Sequence, residues 1–147
     1  MNDLKYTRIL SEDDVDILKL LQIYQTPSIS QFLSISDNYF HYVTSTENVY
    51  FYKVYKVEQL IGSIHLEKQG NSLYMDILIF PEFQKMGFAT KIIKDIQDDI
   101  FKLNYKRIEI SIDEKNIASI KLFENAGFSF VSKKDELINY VYEKEKY

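Results

Sequence analysis

Residues 81–90 read Pro-Glu-Phe-Gln-Lys-Met-Gly-Phe-Ala-Thr, and they connect an apolar strand-like run to an amphipathic helix-like run. Such a junction directs the backbone N–H groups of the first helical turn at one spot, where the helix dipole adds positive charge. Gly87 lets the backbone turn without a Cβ, Ala89 permits a close approach, and Lys85 adds charge at the rim. The segment favours an anionic ligand such as a pyrophosphate, although ordinary turn chemistry also explains a glycine before a helix.

Strand patterns precede this segment. Residues 49–57 alternate and are rich in Val and Tyr, and the runs 60–67 and 73–80 follow after short turns. Alternation with turn residues between the runs predicts an antiparallel meander. Near the start of the chain, residues 5–10 predict one further strand.

Two helices are predicted between the first strand and the meander. Ser11 is a suitable N-cap for a helix whose apolar stripe ends before Pro27, and acidic residues in its first turn suit the helix dipole. A second, shorter helix is predicted within residues 28–36, whereas residues 37–48 carry no pattern that assigns them.

Downstream of the opening segment the pattern alternates between helix and strand. The predicted elements are a helix, a strand, a helix and two strands, over residues 88–103, 106–112, 116–126, 128–131 and 137–142. Gly127 suits the left-handed position that follows a helix. The order β-α-α-β-β-β-α-β-α-β-β predicts the α/β class with a mixed sheet.

Length and composition exclude several kinds of protein. The chain has 147 residues, which suits a single domain over 1–147 with its own core. It has no cysteine, and its two histidines are His41 and His65, so no metal centre is expected. The net charge of −4 argues against a nucleic-acid partner. Without a signal peptide or a membrane-length apolar run, the sequence predicts a cytoplasmic protein with no membrane partner.

Two motifs in this order resemble the signatures of the GNAT acetyltransferase superfamily. Gln84–Ala89 resembles the first, Q/R-x-x-G-x-G/A, and residues 81–83 stand where that family has a P-E-Y lead-in. Residues 116–128, which read NIASIKLFENAGF, resemble the second, N-x-x-A/S-x-x-L-Y-x-x-x-G-F. The element order matches over nearly the whole chain. The resemblance implies a GNAT acyltransferase fold, with a mixed central sheet of about six or seven strands flanked by about four helices.

The resemblance also implies acetyl-CoA as co-substrate, inserted between two splayed strands. The backbone of Ile77, Leu78 and Ile79 would bind the acetyl and pantetheine amides. Asn116 would contact the pantetheine arm, Ser119 would line the cleft, and Phe123 would lie near the sulfur. Asn116 is equally a plain helix N-cap, and Ser119 a small packing residue. The pyrophosphate would be held by the backbone of Gln84, Lys85, Met86, Gly87, Phe88, Ala89 and Thr90.

The implied reaction is direct acyl transfer to an amine, and the sequence departs from the family in its proton-handling residues. Phe123 stands where many members have a tyrosine acid, and Ser111 where some peptide-acetylating members have a glutamate base. The candidate catalytic residues are Asp76, which opens the cofactor strand, and Glu109, which shares a strand face with Ser111. Asp113, His65 or a water molecule would serve as alternatives.

Three functions remain open from the sequence. The first is an acetyl-CoA-dependent N-acetyltransferase acting on a primary amine of a small molecule or a protein. Phe123 and Ser111 also fit a catalytically weak acyl-CoA-binding module. The third is a toxin-like enzyme that acetylates aminoacyl-tRNA, against which the acidic charge balance argues. The amine acceptor is not determined by the sequence, and the resemblance allows a homodimer.

Overall fold

A computed structural model of the chain describes residues 3–144. Seven strands lie in this part of the chain: β1 Leu4–Arg8, β2 Val49–Lys56, β3 Gln59–Gln69, β4 Ser72–Ile79, β5 Arg107–Asp113, β6 Ser129–Lys134 and β7 Leu137–Glu143. The α-helices of the same residues are α1 Ile17–Tyr24, α2 Pro27–Ser30, α3 Tyr39–Ser45, α4 Phe88–Gln97 and α5 Ile117–Asn125. A single 3-10 turn, Pro81–Phe83, precedes α4.

The strands are ordered β1-β2-β3-β4-β5-β7-β6 in a mixed sheet. β1 is antiparallel to β2, β4 is parallel to β5, and β7 is antiparallel to both β5 and β6. The parallel pair requires a long crossover, which α4 supplies. The prediction of an α/β fold with a mixed sheet of six or seven strands is therefore confirmed, with five α-helices in the described residues.

The chain divides into two compact units. Among the described residues, the first unit runs to Leu66 and includes Ile77–Phe83. The second unit comprises Glu67–Asp76 and the chain from Gln84 onward. β3 and β4 each contribute residues to both units.

An aromatic and aliphatic core stabilises the first unit. Phe51 on β2 is fully buried, and the ring of Phe40 from α3 meets it edge-on at a centroid distance of 5.4 Å. Tyr39 packs against both rings in the same edge-on manner, a favoured geometry for aromatic pairs. This core contains Ile9, Leu20, Tyr24, Ile29, Phe40, Val43, Val49, Phe51, Leu60, Leu78 and Phe80.

The second unit buries one stripe of α4 and one face of its strands. Ile92, Ile93 and Ile96 recur at helical spacing along α4 and are almost fully buried. On β5 the buried residues are Ile108, Ile110 and Ile112, which alternate with more exposed polar ones. Burial of an apolar side chain of this size contributes roughly 1.5–3 kcal/mol to folding.

Two predicted helix boundaries are wrong, and local side-chain hydrogen bonds explain both. Helix α1 begins at Ile17 rather than after Ser11, because the Ser11 hydroxyl accepts from the backbone N–H of Asp13 and forms a tight turn instead. Helix α4 ends at Gln97 rather than at residue 103. There the Asp99 carboxylate accepts from the N–H groups of Leu103 and Asn104, and Asp99 itself has a φ of 53°.

The remaining differences concern short helices near the N-terminus. Helix α2 covers Pro27–Ser30, only the beginning of the predicted range, and starts with proline in the first helical turn, where the missing N–H costs nothing. The unassigned residues 37–48 contain α3, whose inward face is Phe40 and Val43. A seven-residue helix shows too few periods to be recognised from its pattern alone.

Candidate functional site

The first part of the site is the start of α4. Gly87 is the N-cap residue, with a left-handed φ of 86°, and it brings no side chain to cap the N–H groups of the first turn. A Cβ at Gly87 would meet no other atom within 4 Å, so glycine is favoured by the φ angle rather than by lack of space. Lys85 also has a positive φ, of 63°. Two such residues curl the backbone immediately before the positive end of the helix dipole.

The start of α5 has a different arrangement. The Asn116 side chain accepts a hydrogen bond from the backbone N–H of Ser119 at 3.3 Å, which makes it a regular N-cap. Further along the helix, Phe123 is 8% exposed and meets Phe128 edge-on at a centroid distance of 5.2 Å. Gly127 has a φ of 92°, which confirms its predicted left-handed position after the helix. The contacts of Asn116 and Phe123 are structural, while their cofactor roles stay predictions.

The second unit contains a point at which two parallel strands part. The ladder between β4 and β5 pairs Ser72–Tyr74 with Arg107–Glu109 and ends there. β5 continues to Asp113 in its ladder with β7. Beyond Glu109 it therefore remains a regular strand along the edge that faces β7. A parallel ladder that ends while its strands continue leaves backbone groups facing the gap.

A cavity of about 260 Å³ lies where these strands part. Both strands line it, chiefly through Tyr74 and Asp76 of β4 and through Glu109 and Ser111 of β5. Residues of the β6–β7 hairpin complete the lining, among them Asn139. Every lining residue belongs to the second unit.

Hydrogen bonds fix one wall of the cavity. The Ser111 hydroxyl donates to Oδ1 of Asn139 at 2.6 Å, and Nδ2 of Asn139 donates to the Ser132 hydroxyl at 3.1 Å. On the opposite wall, burial and the neighbouring Glu109 carboxylate raise the pKa of the Tyr74 hydroxyl above its ordinary value. The tyrosine therefore stays protonated and donates rather than ionises at neutral pH.

The structure brings together some of the predicted catalytic residues and separates others. Asp76 and Glu109 line the same cavity. The carboxylate of Asp113 accepts from the backbone N–H of Lys115 at 2.8 Å, so it is used in a turn. His65 belongs to the first unit, where its Nδ1 lies 2.5 Å from the Tyr39 hydroxyl. The backbone role predicted for 77–79 also falls in the first unit.

Among the cavity residues that sequence reasoning missed are Tyr74 and Asn139, whose polar groups face the predicted ones. Tyr74 is the cross-strand neighbour of Glu109, and Asn139 is the cross-strand neighbour of Ser111. Both pairings depend on strand register, which neither alternation nor composition determines. The signal that was present is alternation along 137–142, which identifies the face of Asn139 but not its partner.

The described residues contain neither a metal-binding cluster of side chains nor a membrane-spanning helix. In residues 3–144 no group of three or more His, Cys, Asp or Glu side chains is placed to hold a metal ion. No helix in the same part of the chain is long and apolar enough to span a membrane.

Comparison with known proteins gives a family match. The model of the acetyltransferase (GNAT) domain matches residues 6–129. No curated protein sequence matches the chain. A domain from Methanocaldococcus jannaschii superimposes with a TM-score of 0.82 at 20% identity, covering 97% of this chain and 99% of that one.

Two further solved structures share the fold. The spermidine N-acetyltransferase from Vibrio cholerae, in complex with CoA and spermine, has a TM-score of 0.80 at 16% identity and covers 96% of this chain and 95% of that one. The Campylobacter jejuni N-acetyltransferase PseH, in complex with acetyl coenzyme A, has a TM-score of 0.76 at 14% identity and covers 97% of this chain and 100% of that one. At these identities the likeness shows the fold alone.

Proposed function

This chain belongs to the acetyltransferase (GNAT) domain family, and we propose that it is an N-acetyltransferase that moves the acetyl group of acetyl-CoA directly onto a primary amine. The observation that carries the proposal is the β4–β5 ladder, which ends at Tyr74 and Glu109 and leaves a cavity between strands that continue. Such a gap leaves backbone groups outside the ladder, which is unfavourable for a fold that binds no ligand there.

The glycine-capped start of α4 supports acetyl-CoA as the acetyl donor. A pyrophosphate carries concentrated negative charge, and the first turn of α4 offers backbone N–H groups with the positive end of a helix dipole. We therefore propose that the backbone from Gln84 to Thr90 holds the pyrophosphate, and that 77–79 bind the pantetheine and acetyl amides. Asn116, Ser119 and Phe123 complete the proposed cofactor-binding set.

The reaction requires the acceptor nitrogen to be unprotonated when it attacks. Its lone pair forms the C–N bond at the thioester carbonyl, the C–S bond breaks, the amine loses a proton and the thiolate gains one. We propose that one of the two carboxylates lining the cavity, Asp76 or Glu109, accepts the amine proton, directly or through water. Phe123 has no hydroxyl and cannot protonate the leaving thiolate, so that proton comes from solvent or from another group.

The extent, location and assembly of the protein are also proposals. We propose that residues 1–147 act as a single acetyltransferase domain, a view supported by the family match to most of the chain. A cytoplasmic location, the absence of a metal and the homodimer stay predictions.

A second candidate function has one observation in its favour. Phe123 is packed against Phe128 and replaces a tyrosine acid, which suits a module that binds acyl-CoA without catalysing transfer. Both functions require cofactor binding, so they differ in turnover alone.

Incubation of the full chain with acetyl-CoA and a panel of amines separates the two functions. We expect amine-dependent release of the CoA thiol, with a mass increase of one acetyl group on the acceptor. Acetyl-CoA binding in calorimetry without thiol release above background would favour the binding module. Absence of binding would remove both candidates.

A further inference from the structure

The polar face of the second unit's strands opens into the cavity. On β4 the exposed Tyr74 and Asp76 flank Met75, which is 5% exposed and points the other way. On β5 Glu109 and Ser111 alternate in the same manner with Ile110, which is 6% exposed. Because successive strand side chains point to opposite faces, the polar groups of both strands meet on one side of the gap.

The lining of this face carries negative charge. Asp76 and Glu109 are two carboxylates, and none of the lining residues, all within the described part of the chain, is Lys, Arg or His. Arg107 lies on the same face of β5, but its guanidinium donates to Glu143 at 3.1 Å and to the Ser72 hydroxyl at 3.4 Å. The cavity therefore attracts cations and repels anions.

The wall of the cavity formed by Ser111 and Asn139 also suits a ligand that donates hydrogen bonds. The Ser111 hydroxyl spends its one hydrogen on Asn139, so its oxygen lone pairs are the part able to bind a ligand. An ammonium group offers up to three donors and no acceptor. The exposed side chain of Val131 also lines the cavity and offers apolar surface that suits an alkyl chain.

The two carboxylates occupy different depths along the gap. Glu109 is level with Tyr74, where the ladder ends. Asp76 lies two residues further along β4, a rise of about 7 Å, and directly precedes the residues proposed to hold the acetyl group. Two amine groups separated by a short alkyl spacer match this spacing.

We propose that the cavity binds the acetyl acceptor and selects an alkyl diamine, with Asp76 beside the reacting nitrogen and Glu109 holding the distal ammonium. This inference rests on the proposed N-acetyltransferase function. Asp76 is then the catalytic residue that accepts the amine proton, and Glu109 is a specificity-determining residue that the reaction itself does not use.

Three acceptors of equal chain length test the selection. Diaminobutane has an ammonium at its far end, butylamine has a methyl group there, and γ-aminobutanoate has a carboxylate. We expect kcat/KM to be highest for diaminobutane, at least about tenfold lower for butylamine, and lowest for γ-aminobutanoate, because a charge-assisted hydrogen bond is lost and then replaced by repulsion.

Two isosteric variants separate the two roles. In Glu109→Gln we expect KM for diaminobutane to rise about tenfold with kcat within about threefold, and the values for butylamine to change little. In Asp76→Asn we expect kcat to fall for both amines. Asp98→Asn, which removes a carboxylate at the far end of α4 that pairs with Lys94, is the matched charge control.

A binding measurement distinguishes failure of the inference from failure of the proposed function. If amines are acetylated but diaminobutane is not preferred, or if Glu109→Gln keeps the preference, the selection is wrong and the acetyltransferase stands. If nothing is acetylated while diaminobutane binds the CoA-saturated chain in calorimetry and Glu109→Gln weakens that binding, the cavity assignment stands and the proposed function is wrong. Loss of both turnover and diamine binding overturns both.

Discussion

Two groups of charged side chains in this molecule are built in opposite ways. In the first unit, Lys53 is 6% exposed and its amino group lies 2.9 Å from Asp14 and 2.8 Å from Asp16. The Tyr55 hydroxyl donates to the same Asp16 carboxylate. In the second unit, two carboxylates line a cavity, and none of its lining residues, which all belong to the described chain, is basic. We call the first group the Lys53 cluster and the second the acidic cavity.

The difference separates charged side chains that pair with each other inside the fold from carboxylates that line a cavity. Burial by itself lowers the pKa of the Lys53 ammonium, but its hydrogen bonds to Asp16 and Asp14 more than offset this, so the pKa lies above its ordinary value. Burial also disfavours the charged form of Asp16 and by itself raises its pKa. The hydrogen bonds from Lys53 and Tyr55 nevertheless hold the pKa of Asp16 below its ordinary value. The lining residues of the acidic cavity, all within the described chain, include no basic side chain, so a cationic ligand would bring positive charge to the two carboxylates.

The largest expected effect is on stability, from removal of the buried cation. Lys53→Met leaves Asp14 and Asp16 partly buried with their shared partner gone, and we expect the free energy of unfolding to fall by about 3 kcal/mol. Urea unfolding measures this change. Lys94→Met, at an exposed pair with Asp98, is the control and is expected to change the free energy of unfolding far less. Equal losses of unfolding free energy in the two variants would mean that the Lys53 cluster stabilises the fold no more than an exposed ion pair does.

The second effect is on cofactor affinity, at the start of α4. Gly87→Glu places a negative charge and a strained φ at the proposed pyrophosphate site, and we expect the Kd for acetyl-CoA to rise about 100-fold. Calorimetry measures it. Gly70→Glu is a matched control, because Gly70 also has a positive φ with nothing within 4 Å of an added Cβ. An unchanged Kd in Gly87→Glu would refute the loop assignment.

The third effect is a pH dependence of the Lys53 cluster. The pKa of Asp16 is lowered on folding, so its contribution to stability is present above its unfolded value of about 4 and is lost as the pH falls through the folded value. The pKa of Lys53 is raised, so its contribution is present below about pH 10 and is lost as the pH rises through the folded value. We expect the stability gap between the wild type and Lys53→Met to be constant between these limits and to narrow in acid.

Urea titrations at several pH values test that window. A gap that widened below about pH 4 would contradict the assigned sign of the Asp16 shift. Tyr55→Phe removes one hydrogen bond to Asp16 and keeps the ring. We expect it to reduce the acid-dependent part of the stability, but by less than Lys53→Met does.

The sequence determined those parts of the fold and site that depend on local chemistry. Gly127 was predicted in a left-handed position and Gly87 at a backbone turn, and both have a positive φ. A helix N-cap was the alternative to the cofactor contact for Asn116, and its side chain does cap α5. These features involve residues within a few positions of each other, where propensity and hydrogen-bonding capacity decide the conformation.

The features that could not be predicted depend on contacts that are distant in sequence. Asp13 and Asp14 were interpreted as first-turn acids of a helix, but the helix begins after them, at Ile17. Asp14, together with Asp16, instead pairs with Lys53 on β2. The cavity depends on the register that sets Ser111 opposite Asn139. A strand pattern shows which face a residue occupies and not which residue lies across from it.

The smallest expected effect concerns Phe123, and it tests whether the acidic cavity needs a separate proton donor. Phe123→Tyr adds a hydroxyl to a ring that is 8% exposed and packed against Phe128, and we expect the Kd for acetyl-CoA and the kcat to stay within about threefold. Phe101→Tyr makes the same change outside the proposed site and serves as the control. Steady-state kinetics with the best amine acceptor measure both variants. A rise in kcat well beyond threefold in Phe123→Tyr alone would mean that departure of the thiolate limits the wild type. The cavity would then be complete for binding the amine and incomplete for catalysis.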